Sequence, residues 1–138
     1  MPGQPGTTLN SIQPTRDGAY IAGQGGLGTL RVNVTASQAK GVDVVHSAVL
    51  PANAEVTGGG VVIKTAFNNA TPTLDIGVSG TSNCFASALA LGVAGFQPLD
   101  DLALAPAAPN ASDRSLASKL AGTSTIGDAD IIIQYIVP

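Results

Sequence analysis

The chain has 138 residues, of which 11% are charged, 44% hydrophobic and 4% aromatic, with six Lys+Arg against nine Asp+Glu and a formal net charge of -3. That balance excludes a disordered polypeptide, which needs few apolar residues and a high net charge. It also argues against a nucleic-acid partner, because Arg16, Arg31, Lys40, Lys64, Arg114 and Lys119 are scattered and form no basic footprint.

Residues 1–28 contain Pro2, Pro5, Pro14 and many glycines around four isolated apolar side chains, Leu9, Ile12, Tyr20 and Ile21. Proline removes donors and glycine raises the entropy lost on ordering, so this stretch is not expected to fold alone. It reads equally as a frayed terminus or as an extended arm that orders on a neighbouring subunit. Its start, Met1-Pro2-Gly3-Gln4-Pro5, has neither a basic n-region nor an apolar h-region, so no secretory signal is expected.

From Gly28 onward the period becomes two. Leu30, Val32 and Val34 alternate with Arg31, Asn33 and Thr35, which predicts a half-buried strand. A second apolar run over 42–50 stops at Pro51, and a third places Val61, Ile63 and Phe67 on one side before the turn chemistry of Asn68, Asn69 and Pro72. Leu74-Asp75-Ile76-Gly77-Val78 is a fourth. Phe85, Leu89 and Val93 stand four apart and permit a short helix, whereas Leu89, Leu91 and Val93 permit a strand equally well. Residues 99–110, rich in Ala and Pro, read as a surface connection. Asp113, Leu116 and Leu120, with Gly122 beyond, outline a turn or two of helix. Ile131 to Val137 is the strongest strand, apolar on both faces, and is expected at the centre of a sheet or at a subunit contact.

Mean hydropathy is high, at +0.30. The longest uncharged stretch, 76–99, is nevertheless broken by Ser79, Gly80, Thr81, Ser82 and Asn83, and what remains is too short to cross a bilayer, so no membrane partner is expected. Short strands separated by Gly, Pro and Asn predict an all-β chain: a single antiparallel β-sandwich, jelly-roll-like, over 29–138, preceded by the arm 1–28. So few charges on a chain of this size point to an exterior covered by other protein.

Motifs for chemistry are weak. Gly23-Gln24-Gly25-Gly26-Leu27-Gly28 satisfies G-x-G-x-x-G and Asp43 follows at a suitable distance, but a strand pattern follows where a dinucleotide site needs a helix. His46 is the single histidine, lies in a predicted strand and has no Gly-x-Ser-x-Gly elbow to serve, so it reads as a packed or surface residue. Cys84, the single cysteine, has no internal disulfide partner, which agrees with synthesis in a reducing cytosol, and reads as a small buried apolar group. Asp100-Asp101 and Asp128-Ala129-Asp130 offer calcium-type oxygens without a suitable loop and read as solvated turn residues. The Asn-x-Ser/Thr triplets at Asn33, Asn69 and Asn110 read as chance occurrences. No catalytic residue, cofactor or metal site is expected.

Three segments, Leu50-Pro51-Ala52-Asn53-Ala54-Glu55-Val56, Val61-Val62-Ile63-Lys64-Thr65-Ala66-Phe67 and Thr73-Leu74-Asp75-Ile76-Gly77, with the loop Ser79-Gly80-Thr81-Ser82-Asn83 behind them, resemble a stretch of small virion proteins of tailed bacteriophages. The resemblance covers about a third of the chain. It implies a β-sandwich cement protein that decorates the capsid surface by binding the major capsid protein, with self-association expected as a homotrimer. Leu9, Ile12, Tyr20 and Ile21 in the arm, with Tyr135 and Ile136 in the last strand, are the expected partner contacts. A tail or fibre module binding a host glycan is the alternative, and a chain with no Trp and two Tyr has little to stack on sugars.

Overall fold

The alternating runs are strands in the computed structural model, which describes residues 26–68, 71–100 and 111–137. The order is β1 (Gly26–Thr35), β2 (Asp43–Leu50), β3 (Glu55–Thr65), β4 (Thr73–Val78), β5 (Thr81–Ala90), β6 (Gly95–Pro98), β7 (Arg114–Ala121) and β8 (Asp128–Val137). They form two four-stranded sheets, ordered β1-β8-β3-β6 and β2-β7-β4-β5. First pairs with last, second with seventh, third with sixth and fourth with fifth, all antiparallel. A long hairpin wound around a barrel axis produces this nesting, so the all-β sandwich is jelly-roll-like, as expected.

β8 is central, paired on one side with β1 from Gly26↔Val137 to Thr35↔Asp128 and on the other with β3. That position pairs both its edges but covers only one face: Ile132 and Ile136, on the outer face, are half-buried. Ala129, Ile131 and Ile133 face the core, where they join Val34, Val61 and Ile63; Leu74, Ile76, Phe85, Leu116 and Leu120 come from the second sheet. Phe85 is the largest fully buried side chain. Aliphatic residues therefore supply most of the core, each stabilising the fold by roughly 1.5–3 kcal/mol on burial.

Two expectations are corrected. Residues 113–122 contain no helix: Arg114–Ala121 is strand β7, between β2 and β4. Leu116 and Leu120 share the core face with Ser118, a fully buried polar residue that masks the alternation in the sequence. The ambiguity at Phe85 resolves to strand β5, while Val93 lies outside it and is 73% exposed. Gly26 and Gly28, assigned above to the arm, are residues of β1. Leu9, Ile12, Tyr20, Ile21, Asp101, Asn69, Asn110 and most of the 99–110 connection lie outside the described residues.

Candidate assembly surface

Along β8 the residues between the core positions point outward, and a polar cluster forms where they meet β1 and β3. Asp130 accepts from Arg31 Nε at 2.9 Å and Nη2 at 2.5 Å. The Asn33 amide donates to Asp130 Oδ1 at 2.9 Å, Asp128 Oδ1 at 2.7 Å and the Ala129 carbonyl at 3.2 Å. Lys64 Nζ approaches Asp130 at 3.4 Å and Asp128 at 3.5 Å. Asp130 is only 5% exposed. The Asn33 hydrogen bond, followed by the hydrogen bond and charge of Arg31 and the charge of Lys64, holds its carboxyl below the usual range, against the opposing effect of burial. These two acids are therefore strand residues in an ion-pair network, Asp130 being buried, which corrects the reading of both as solvated turn residues. The two cations among their partners, Arg31 and Lys64, balance the two carboxylates, so this end of the sheet presents no strong field.

Next to the cluster the same face turns apolar. Val62 and Ile132 are half-buried, and Phe96, registered against Val62, is 57% exposed. Gly60 makes room for its ring, since a β-carbon there would lie 2.6 Å from Phe96 Cζ. At the far end Leu27, 88% exposed, is registered against Ile136. An open groove of about 320 Å³ runs beside them, lined by Leu27, Gly28, Thr29, Thr57, Gln134 and Tyr135. In the second sheet the edge strand β2 exposes Val45 and Val49, with Val42 just before it.

Tyr135 and Ile136 are thus both placed at the Leu27 end, half-buried and pointing to opposite faces of β8. Sequence reasoning missed Leu27 and Phe96. Leu27 sits within a glycine run that reads as the end of the arm, and Phe96 follows a stretch whose period is ambiguous.

Of the nucleophile and base candidates, Cys84 is buried and His46 half-buried. His46 Nε2 lies 2.7 Å from Ser118 Oγ, which also accepts from the Gln38 amide at 3.2 Å. Ser118 is fully buried, so its oxygen is closed to substrate, and burial pushes the His46 pKa down. Cys84 is buried with its thiol pKa raised by the same cause, in keeping with a packing role. Gly26 and Gly28 of the glycine motif belong to a strand, so no helix N-terminus stands ready for a phosphate there. Among the described residues no group of three His, Cys, Asp or Glu side chains is arranged to hold a metal, and no helix is long and apolar enough to cross a membrane.

No family model matches the chain, and neither does any curated protein. Solved structures do. A chain of the cyanophage Pam1 capsid asymmetric unit superposes with a TM-score of 0.62 at 21% identity, covering 91% of this chain and 94% of that one. A chain of the capsid of Ralstonia phage GP4 gives 0.62 at 18% identity, covering 91% and 92%. A chain of the acidic stable capsid structure of Helicobacter pylori bacteriophage KHP30 gives 0.53 at 16% identity, covering 81% and 88%. At these identities the shared property is the fold, a β-sandwich matched over 81 to 91% of this chain.

Proposed function

We propose that this chain is a capsid decoration, or cement, protein that binds the outer surface of a phage head and stabilises it by bridging major capsid proteins. The observation that carries this reading is the match of fold to chains of three phage capsids, over 81 to 91% of this chain and 88 to 94% of theirs. The exterior agrees with it: few charges overall, neutralised where they cluster on the outer face of β8, and single exposed apolar side chains such as Leu27 and Phe96. Copies associate with one another, as a homotrimer in this reading. Leu9, Ile12, Tyr20 and Ile21 in the arm, with Tyr135 and Ile136, supply contacts to neighbours. Each contact is modest, and repetition over the shell multiplies it. No nucleic acid, membrane, cofactor or catalytic step enters the mechanism.

The test is cryo-electron microscopy of purified particles together with add-back to heads lacking the protein. Density for the sandwich on the head exterior and recovered resistance to heat or osmotic shock are expected. Double substitution Leu27→Ser/Phe96→Ser should leave the protein folded and weaken add-back. Density on the tail instead of the head would replace this reading with the fibre module.

A further inference from the structure

A β-sheet ends in strands whose outer N–H and C=O groups are unpaired, and soluble proteins blunt such edges with short strands, bulges, proline or charge. Among the described residues, four edges bound the two sheets: β1 and β6 in one, β2 and β5 in the other. Three are blunted. β6 has four residues and ends in Pro98. β2 shifts register between Val45 and Val49. β5 shifts register against β4 twice and carries Ala88 at a φ of 54°. β1 has none of these devices. It runs for ten residues in unbroken register with β8, and its one charge, Arg31, is turned to Asp130. Among the described residues no strand pairs with its outer edge.

The 25 residues that precede β1 contain one segment suited to that edge. Thr7-Thr8-Leu9-Asn10-Ser11-Ile12-Gln13 lies between Pro5 and Pro14 and contains no proline, glycine or charge of its own. Its two apolar residues are three positions apart, and so are the two under-buried leucines of β1, Leu27 and Leu30. One antiparallel register therefore sets Leu9 opposite Leu30 and Ile12 opposite Leu27 together. The odd spacing puts the first pair on the core face and the second on the outer face, where those leucines already point. In that register Asn10 faces Thr29, Ser11 faces Gly28, and Pro14 falls beyond Gly26, past the end of the ladder. We propose that residues 7–13 of this protein add to the free edge of β1 as an antiparallel fifth strand of the β1-β8-β3-β6 sheet. Main-chain hydrogen bonds hold such an added strand, and the two leucine positions set its register.

The test uses the full chain carrying Asn10→Cys/Thr29→Cys, oxidised with diamide and resolved on a non-reducing denaturing gel. Cys84 is buried and stays out of the reaction. Disulfide formation at least about tenfold faster than in the slipped pair Thr8→Cys/Thr29→Cys, which leaves both leucines in place, is expected, because pairing raises the effective concentration of the matched thiols. A bond within one chain and a bond between two chains both support the added strand. The first removes arm exchange from the proposed assembly while leaving this inference standing. Equal rates in matched and slipped pairs overturn it. Hydrogen exchange on the unaltered chain is the second measurement: alternate amides of β1 that exchange as fast as an open edge also overturn it. Protection without the matched crosslink means that another segment covers the edge, and the occupant named here is wrong.

Discussion

Tyr135 holds the space above Gly28. A β-carbon at Gly28 would lie 2.2 Å from the ring Cζ and 2.4 Å from its hydroxyl oxygen. The two residues are registered partners at the Leu27 end of the sheet, so a glycine that reads as the end of the arm is a seat for the last aromatic residue of the chain.

Because the obstructing atoms are the far end of a side chain, Gly28→Ala should displace the ring and cost about 1 kcal/mol or less, the lower chain entropy of alanine offsetting part of the loss. Gly59→Ala should behave differently. Gly59 has a φ of +130°, and its β-carbon would lie 2.0 Å from the Ile132 carbonyl oxygen, a backbone atom that cannot swing aside. A loss of about 3 kcal/mol or more is expected, read as a shift in the urea midpoint.

The Asp130 network makes stability depend on acid. Its folded pKa lies below the unfolded value, so the unfolded chain binds the extra proton and stability rises with pH through that interval. The contribution is complete above the ordinary carboxylate pKa of about 4 and is lost as pH falls through the lower folded value. Asp130→Ala should cost about 2 kcal/mol at neutral pH and flatten the acid limb of the denaturation curve. Asn33→Ala should cost more than Lys64→Ala, since Asn33 donates to both carboxylates while Lys64 is half exposed and reaches them only at 3.4 and 3.5 Å.

His46 acts in a different window. Burial depresses its folded pKa, so below about pH 6.5 the unfolded chain takes up a proton that the folded chain refuses, and stability falls as pH drops. His46→Gln should remove this slope between about pH 6.5 and the lower folded value without altering the acid limb set by Asp130. Denaturant midpoints measured at half-unit pH steps separate the two.

Cys84 is 1% exposed, and burial raises its thiol pKa. Reaction with a disulfide reagent should therefore be slow in the folded protein and gated by opening, with a rate that rises steeply near the unfolding midpoint. Fast, stoichiometric labelling of native protein would contradict this burial.

Much of the architecture was legible because strand burial writes a period of two into the chain. Leu30-Val32-Val34, Leu74-Ile76-Val78 and the Ile131–Val137 run all appear in the sheets where their alternation, or lack of it, places them. β7 was illegible for a definite reason. Leu116 and Leu120 are four apart, a spacing that suits one face of a helix and one face of a strand alike, and the residue that decides between them is the polar Ser118. Ser118 sits in the core because His46 and Gln38, from other parts of the chain, satisfy its hydroxyl.

Composition and periodicity by themselves determined an all-β chain with an aliphatic core and a weakly charged exterior, since those properties depend only on which residues are present and how they alternate. Tertiary structure alone decided which acids are buried, which glycines are seats for side chains and which long sheet edge the described strands leave unpaired. Those are properties of strand neighbours such as Arg31 and Asp130, brought together from distant parts of the chain, and no local pattern records who the neighbour will be.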